Sequence, residues 1–258
     1  MSRIGCIVIT LLSLAHAASA AEIPLEQRRS TYVDMSADNK AMQDDDTSNP
    51  AMLSVLDGEA LWDAKAGASG KSCADCHGDA KTSMKGTAAR YPAFDNSARG
   101  PVDLEQRINL SRTQDQKAEA FKFESKELLG LTAFIAMQSR GTPIAPPNDP
   151  RLKPFLDKGR ALFTARQGQI NMSCAQCHDD NWGKHLAGSI VPQAHPTGYP
   201  IYRLEWQSLG SLQRRLRNCM IGMRAEPYPY GAPENIEMEL YLMWRARGMK
   251  IETPGVRP

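Results

Sequence analysis

Apolar residues along the chain recur mainly with the spacing of α-helices. Leu53, Leu56 and Leu61 are three to five positions apart and alternate with polar residues and alanines. A second set with helical spacing consists of Leu212, Leu216, Met220 and Met223. Such spacing places apolar side chains on one face of a helix. Runs that alternate polar and apolar residues, which would indicate half-buried strands, are absent. The pattern therefore predicts an all-α fold.

The helical pattern occurs twice along the chain. The stretch GEALWDAKAG (58–67) matches GRALFTARQG (159–168) at an offset of 101 residues. Tyr91-Pro92 matches Tyr199-Pro200 at an offset of 108, so the second copy has seven extra residues before Tyr199. Self-similarity at a nearly fixed offset indicates a duplicated structural unit. The sequence therefore predicts two tandem domains of related fold.

The segments outside the repeats set the expected boundaries. Residues 1–20, MSRIGCIVITLLSLAHAASA, join an arginine, a short apolar run and a small-residue ending. This pattern is typical of a secretory signal peptide cut after about Ala20, and it predicts a periplasmic protein. No later apolar stretch reaches the length of a membrane span. Residues 21–50, polar and acidic, are expected to form a loosely ordered N-terminal arm.

A linker with several prolines is expected to separate the two domains. The segment GTPIAPPNDP (141–150) would stop any helix that enters it. The first domain is therefore predicted at 51–145 and the second, which carries the candidate catalytic residues described below, at 151–258.

The overall charge favours no nucleic-acid or membrane partner. The 31 lysines and arginines nearly balance the 29 aspartates and glutamates, which leaves a net charge of +2. Such a balance gives no long-range attraction to nucleic acid or to an anionic membrane surface. Positive charge is concentrated locally in RRLRNCM, where Arg214 and Arg217 are expected to face solvent or a partner protein.

The cysteines form two C-x-x-C-H motifs and leave one residue over. The motif residues are Cys73, Cys76 and His77 in SCADCH, and Cys174, Cys177 and His178 in SCAQCH. C-x-x-C-H is the attachment signature of c-type haem, and the motif histidine binds the iron. The sequence predicts two covalently bound haem c groups; a redox dithiol or half a zinc site is the alternative for each motif. Cys219 is then the remaining thiol of residues 21–258.

Cys219 has the position and neighbours of a functional thiol. It follows His178 by 41 residues, a separation suited to a second axial ligand of the same iron. Arg215, four residues earlier, lies on the same side of a helix. Its guanidinium would lower the thiol pKa and offers paired donors for a sulfonate or another oxyanion. The alternatives are an inert buried thiol, and ligation of the second iron by His185 or His195.

The first copy differs at the position of this thiol. At the offset of 108, Ser111 occupies the place of Cys219. Serine is a poor iron ligand, so the distal ligand of the first haem stays unassigned. Met84, Met137 and Lys117 are possible donors, and an open position or a ligand from a partner chain are the other possibilities.

These residues together resemble a known family. The repeated haem units, the stretch SCADCHGDAKTSMKGTAARYPAFD, the motif SCAQCH and the segment RRLRNCM are similar to those of SoxA proteins. SoxA is the dihaem cytochrome c subunit of L-cysteine S-thiosulfotransferase in the sulfur-oxidising Sox system. The likeness covers nearly all of residues 21–258. It implies two cytochrome-c-like domains with one haem c each.

The resemblance also implies a reaction and partners. A SoxX-like monohaem cytochrome c would complete a heterodimer, which joins thiosulfate oxidatively to a cysteine of the carrier protein SoxYZ. Two electrons would leave through the haems to a small cytochrome c. Cys219 would be the catalytic cysteine, bound to the second haem and found as a persulfide, and Arg215 would bind substrate. Ser111 departs from the family, whose dihaem members often have cysteine as the distal ligand of the first haem as well.

Three other functions fit two haem motifs. A plain periplasmic dihaem electron carrier would not need Cys219 beside Arg215. A dihaem peroxidase would need an open iron position with an acid or base above it and would reduce peroxide rapidly. A haem-based gas sensor would release Cys219 when a gas binds.

Overall fold

The chain is mainly helical. The computed structural model describes residues 23–186 and 188–258, so the signal peptide predicted at 1–20 and its cleavage after Ala20 lie outside the described residues. The described α-helices are α1 (Ala37–Asp44), α2 (Ala51–Asp63), α3 (Cys73–His77), α4 (Ala80–Ser83), α5 (Leu104–Gln114), α6 (Lys126–Met137), α7 (Lys153–Thr164), α8 (Cys174–His178), α9 (Leu212–Gly222) and α10 (Pro233–Arg245). The described strands are β1 (Ala93–Asp95), β2 (Gly100–Val102), β3 (His185–Leu186), β4 (Ser189–Ile190), β5 (Ile201–Arg203), β6 (Ser208–Gly210) and β7 (Gly255–Arg257).

The strands correct the prediction of a purely helical fold, although the helical class is right. β1 pairs with β2, β3 pairs with β4, and β5 lies between β6 and β7. β5 is antiparallel to β6 and parallel to β7. Each strand has two or three residues, which is too short for a visible alternation of polar and apolar positions.

Each half is built on one pair of long helices. In the first half α2 packs on α6, whose central residues are almost all buried, including Leu128 and Leu131. In the second half α7 packs on α10, and Phe163 meets Tyr241 with ring centroids 5.4 Å apart. The helical spacing read from the sequence locates α2 as a helix but not its buried face, since Leu53 is 71% exposed.

The arrangement of elements follows the sequence repeat. The offset of 108 relates α5 to α9 and the β1–β2 hairpin to the β5–β6 hairpin, while the offset of 101 relates α3 to α8. Isolated bridges Ala66↔Lys71 and Gln167↔Met172 precede the two motif helices at that same offset. Equivalent residues of the two halves can therefore be compared directly.

The expectation of a loosely ordered N-terminal arm is wrong. Residues 24–50 form α1 and short 3-10 turns, and they pack against the second half. The Gln43 side chain accepts a hydrogen bond from the Val256 amide at 2.9 Å, and the Asn49 amide donates to the Pro254 carbonyl at 3.0 Å. Both polar side chains are buried, so their hydrogen bonds hold the arm against the C-terminal strand.

Residues 141–150 form backbone hydrogen bonds with both halves. The Ile144 amide donates to the Met249 carbonyl at 2.8 Å, and the Ala145 amide donates to the Ala89 carbonyl at 2.9 Å. The Ile144 side chain is buried. The domain boundaries themselves stay a prediction.

Candidate active site

A cavity of about 320 Å³ in the second half brings the predicted functional residues together. His178, Arg215 and Cys219 all line it. Apolar wall residues come from α9, α10 and β5, namely Leu212, Leu216, Leu242 and Ile201. A mostly apolar pocket with a few polar groups at defined places is the usual form of a cofactor site.

The second C-x-x-C-H motif lies on the short helix α8. The Ser173 hydroxyl accepts from the Gln176 amide, and the Gln176 side chain accepts from the Ser173 amide, so the helix begins at a capping box. Cys174, Cys177 and His178 therefore lie within about one helical turn. Two thiols and an imidazole at this spacing can attach a haem and bind its iron.

The His178 imidazole is oriented as an iron ligand. Its Nδ1 lies 2.6 Å from the Pro192 carbonyl oxygen, which fixes Nδ1 as the donor and leaves Nε2 free. Burial lowers the pKa of His178 to about 4, so the ring is neutral near pH 7. Pro192 belongs to the region between the haem motif and Tyr199 in which the second copy is longer.

Arg215 and Cys219 lie one turn apart on α9. The Ser211 hydroxyl caps this helix by accepting from the Arg214 amide at 3.0 Å. Burial, and secondarily the nearby charge of Cys219, raise the pKa of the Cys174 thiol to about 12. Cys219 and Arg215 both line the cavity, and among the described residues the Arg215 guanidinium has no hydrogen-bond or ion-pair partner.

Both loop histidines line the same cavity. His195 is buried, and its Nδ1 lies 3.0 Å from the Arg29 carbonyl of the N-terminal arm. Burial lowers the pKa of His195 to about 4. His185 is exposed on β3. The structure brings both histidines to the cavity that holds Cys219, so their use as iron ligands stays an alternative.

The first C-x-x-C-H motif lies nearer the surface, on α3. Cys73 is partly buried, whereas Cys76 and His77 are exposed. The Trp62 and His77 ring centroids are 5.7 Å apart, and the Trp62 indole donates to the Gly78 carbonyl at 3.1 Å. The spacing of the three side chains matches that on α8 and suits covalent attachment of haem.

Ser111 is engaged with a neighbouring arginine. The Arg107 guanidinium donates to the Ser111 hydroxyl at 2.9 Å and forms an ion pair with Asp95, also at 2.9 Å. Of the other predicted ligands of the first iron, Met84 and Met137 pack against the first core and Lys117 is exposed.

Arg214 and Arg217 of the RRLRNCM segment have contacts within the protein. Arg214 stacks on Trp206 at 4.3 Å and lies 3.8 Å from Glu124. Arg217 stacks on Tyr230 at 4.6 Å and donates to the Tyr228 carbonyl. Both arginines contact aromatic residues that are distant in sequence, and 32% of the Arg214 side chain is exposed, so the expectation that they face solvent or a partner stays a prediction.

Sequence reasoning missed several residues that line the cavity, among them Tyr199 and Arg203. Burial raises the pKa of Tyr199 to about 12, so its phenol stays protonated as a possible donor. The signal that could have found Arg203 is the repeat: at the offset of 108 it occupies the place of Asp95, with the opposite charge.

The second site fits a covalent haem c on its own chemistry. It has two thiols and an oriented neutral imidazole on one turn, apolar walls and a further sulfur at the cavity. A helical chain with such a site and a second C-x-x-C-H helix belongs to the class of c-type cytochromes. No described helix has the length and apolar character required to cross a membrane.

Comparison with known proteins confirms the resemblance stated above. The chain belongs to the SoxA/TsdA family: the model of its cytochrome c domain matches residues 57–144 and 158–251. The family binds covalent haem c. The L-cysteine S-thiosulfotransferase subunit SoxA of Pseudaminobacter salicylatoxidans is 37% identical over 91% of this chain and 82% of its own. The protein of the same name from Rhodovulum sulfidophilum is 34% identical over 90% and 81%.

A solved structure shows the same fold. The crystal structure of SoxXA from P. pantotrophus matches with a TM-score of 0.85 at 30% identity, over 90% of this chain and 87% of the matched chain. The mainly helical cytochrome c architecture is therefore confirmed.

Proposed function

We propose that this chain is the catalytic subunit of an L-cysteine S-thiosulfotransferase, which joins thiosulfate oxidatively to a cysteine of a carrier protein. The observation that carries the proposal is a thiol, Cys219, that shares a largely apolar cavity with His178 and with Arg215, whose guanidinium has no hydrogen-bond or ion-pair partner among the described residues. The names of the curated relatives support the same activity.

The chain is proposed to hold two haem c groups. Cys73, Cys76 and His77 would hold the first, and Cys174, Cys177 and His178 would hold the second, with Cys219 as its other axial ligand. Each haem would accept electrons one at a time and pass them on. Cys219 beside this haem would keep the reactive sulfur next to the group that accepts the electrons.

The overall reaction balances with two electrons. Thiosulfate, with charge −2, and a carrier thiolate, with charge −1, form one sulfur–sulfur bond to give a cysteine S-thiosulfonate of charge −1. Two electrons are released and no bond is broken. Arg215 would bind the sulfonate oxygens through its paired N–H donors, while Cys219, as thiolate or persulfide, supplies the sulfur nucleophile.

The proposal includes partners and a compartment. The matched P. pantotrophus structure is a complex named SoxXA, which supports a SoxX-like monohaem cytochrome c as the partner of a heterodimer. A SoxYZ-type carrier would present the acceptor cysteine, and a small cytochrome c would take the electrons. A periplasmic location follows from the signal peptide predicted at 1–20.

The test compares the two equivalent positions of the repeat. Cys219→Ala should lower thiosulfate- and carrier-dependent reduction of cytochrome c by about two orders of magnitude or more, because it removes the reacting sulfur. Ser111→Ala, the matched change in the first half, should keep most of the activity. Intact mass of both proteins should show two haems.

Full turnover by Cys219→Ala would overturn the proposal and favour a plain electron-transfer cytochrome. A mass corresponding to one haem would overturn the dihaem assignment alone.

A further inference from the structure

The two halves carry the same three-residue arrangement with different charges. In the first half Asp95 lies on β1 and Arg107 and Ser111 lie on α5. Arg107 forms an ion pair with Asp95 at 2.9 Å and donates to Ser111 at 2.9 Å. Arg107 also lies 3.8 Å from the exposed Asp115 carboxylate, so its positive charge is compensated within the first half.

The second half keeps the arginine of the helix and replaces the other two residues. At the offset of 108, Arg215 corresponds to Arg107, Cys219 to Ser111 and Arg203 to Asp95. Substitution of the carboxylate by a guanidinium removes the ion pair of the helix arginine and adds a second cation, which pairs with the exposed Glu205 instead. Arg203, Arg215 and Cys219 line one cavity, so both arginines border the space that the proposed reacting residue also borders.

Arg203 keeps a donor that the protein does not use. One of its terminal nitrogens pairs with Glu205 at 2.8 Å, and its guanidinium lies 5.2 Å from the centre of the Trp206 ring. The Glu205 side chain is exposed. The Nε–H of Arg203 is buried and has no hydrogen-bond partner among the described residues. An unpaired buried donor is costly unless a ligand accepts from it.

The electrostatics of the cavity favour an anion. Burial, and then the positive charge of Arg215, lower the pKa of the Arg203 guanidinium, while the Glu205 carboxylate acts in the opposite direction. Other charged groups of the cavity are already matched: Arg257 pairs with Glu252, and Asp34 pairs with Arg29.

We propose that Arg203 and Arg215 together form an anion site for a sulfur oxyanion, with Arg203 as the residue that supplies the additional donor. The identity of that anion as thiosulfate rests on the proposed function. Arg215 offers a guanidinium without an ion-pair partner among the described residues, and Arg203 adds its unused Nε–H, so together they provide donors to more than one sulfonate oxygen.

The test uses the haem-loaded heterodimer and variants that change one charge. Arg203→Gln should raise the KM for thiosulfate about tenfold or more and change kcat less than about threefold, since the lost interaction is a charge-assisted hydrogen bond to bound anion. Arg203→Lys should recover part of the affinity, because charge returns without the planar donors. Arg203→Asp, which recreates the charge pattern of the first half, should abolish measurable binding.

Arg214→Gln is the matched control. Arg214 also stacks on Trp206 and carries the same charge, but it does not line the cavity. It should leave the KM within about twofold of the unchanged protein. An equal rise of KM in Arg214→Gln and Arg203→Gln would mean that the loss of any nearby positive charge, or damage to the β5–β6 hairpin, explains the effect. That result would overturn the proposal.

A binding measurement separates this inference from the proposed function. Calorimetric titration with thiosulfate, and with sulfate as an unreactive dianion, needs neither carrier protein nor turnover. If the unchanged protein binds dianions and Arg203→Gln weakens binding tenfold, the inference holds even where thiosulfate transfer is absent. If transfer is present and Arg203→Gln binds and turns over thiosulfate normally, the inference is wrong and the proposed function stands.

Discussion

At the scale of single residues, one buried ion pair holds the region beside the second haem motif. Arg245 on α10 lies 2.6 Å from Asp179, which follows His178, and the two side chains are only 5% and 9% exposed. The Arg245 guanidinium also stacks on Phe163 at 4.5 Å. Neither charge can regain water if the other is removed, so the pair is costly to break.

Removal of the arginine alone should therefore strongly destabilise the folded protein. Arg245→Leu is expected to lower the free energy of unfolding by about 3–5 kcal/mol, because Asp179 is left buried without a counter-charge. Arg245→Leu combined with Asp179→Asn should recover part of this loss. Lys153→Ala, which breaks the exposed pair with Asp157, is the control and should cost less than about 1 kcal/mol. Denaturant unfolding of the haem-loaded proteins measures all three, and equal losses for both pairs would contradict the argument.

The sequence predicts some of these residues and not others for a definite reason. The motif residues and Cys219 can be found because spacing along one helix is a local property. Arg203 could have been found as well, since the repeat aligns it with Asp95. The pairing of Arg245 with Asp179 could not, because it joins residues 66 positions apart through packing of α10 near α8.

At the scale of elements, two glycines allow the long helices to approach closely. A β-carbon on Gly58 of α2 would lie 2.1 Å from the Gly130 carbonyl oxygen of α6. A β-carbon on Gly159 of α7 would lie 2.0 Å from the Glu237 carbonyl oxygen of α10. Each half therefore uses the same contact, in which only a hydrogen fits between the backbones.

Alanine at either position should force the helices apart. Gly58→Ala and Gly159→Ala are each expected to lower the free energy of unfolding by about 1–3 kcal/mol or more, since the clash is with backbone that cannot rotate away. Gly222→Ala is the control: this residue ends α9, and a β-carbon there meets nothing within 4 Å. It should change stability by less than about 1 kcal/mol. Thermal unfolding of the three variants tests the difference. If Gly58→Ala is as stable as the unchanged protein, α2 and α6 can move apart without loss of stability.

The helices are the elements that sequence predicts best. Leu53 to Leu61 and Leu212 to Met223 show the helical period, and these stretches do form α2 and α9. The strands and the packed arm could not be predicted in this way. The strands are too short for a period, and the arm is held by hydrogen bonds from Gln43 and Asn49 to residues near the C-terminus.

At the scale of the whole molecule, the two halves meet around buried carboxyl groups. Asp103 of the first half accepts from the Gln213 amide of the second at 2.7 Å, and Gln213 in turn accepts from the Gly231 amide at 2.8 Å. A cavity of about 60 Å³ at this contact is lined by Asp103, Glu105 and Glu239. One Glu105 oxygen, Oε2, is buried and has no hydrogen-bond partner among the described residues.

Burial makes these acids hold protons in the folded protein. It raises the pKa of Asp103 to about 6 despite hydrogen bonds that act in the opposite direction. It raises the pKa of Glu105 and of Glu239 well above their usual value, and the charge of Asp103 adds to the effect on both. The folded state therefore binds more protons than the unfolded chain between pH 4 and the raised values.

Because the folded state binds more protons, the free energy of unfolding is expected to fall as pH rises from about 5 to 8. Folding then requires proton uptake, which becomes less favourable at higher pH. Glu105→Gln keeps the shape of the side chain and removes one such proton. It should raise the free energy of unfolding at pH 8 by on the order of 1–3 kcal/mol, change it little at pH 5, and flatten the slope between them. Glu119→Gln, at an exposed position, should leave the slope unchanged. Denaturant unfolding across this pH range gives the slopes directly. Parallel slopes for Glu105→Gln and the unchanged protein would mean that Glu105 is ionised in the folded state and that the contact between the halves is not sensitive to pH through this residue.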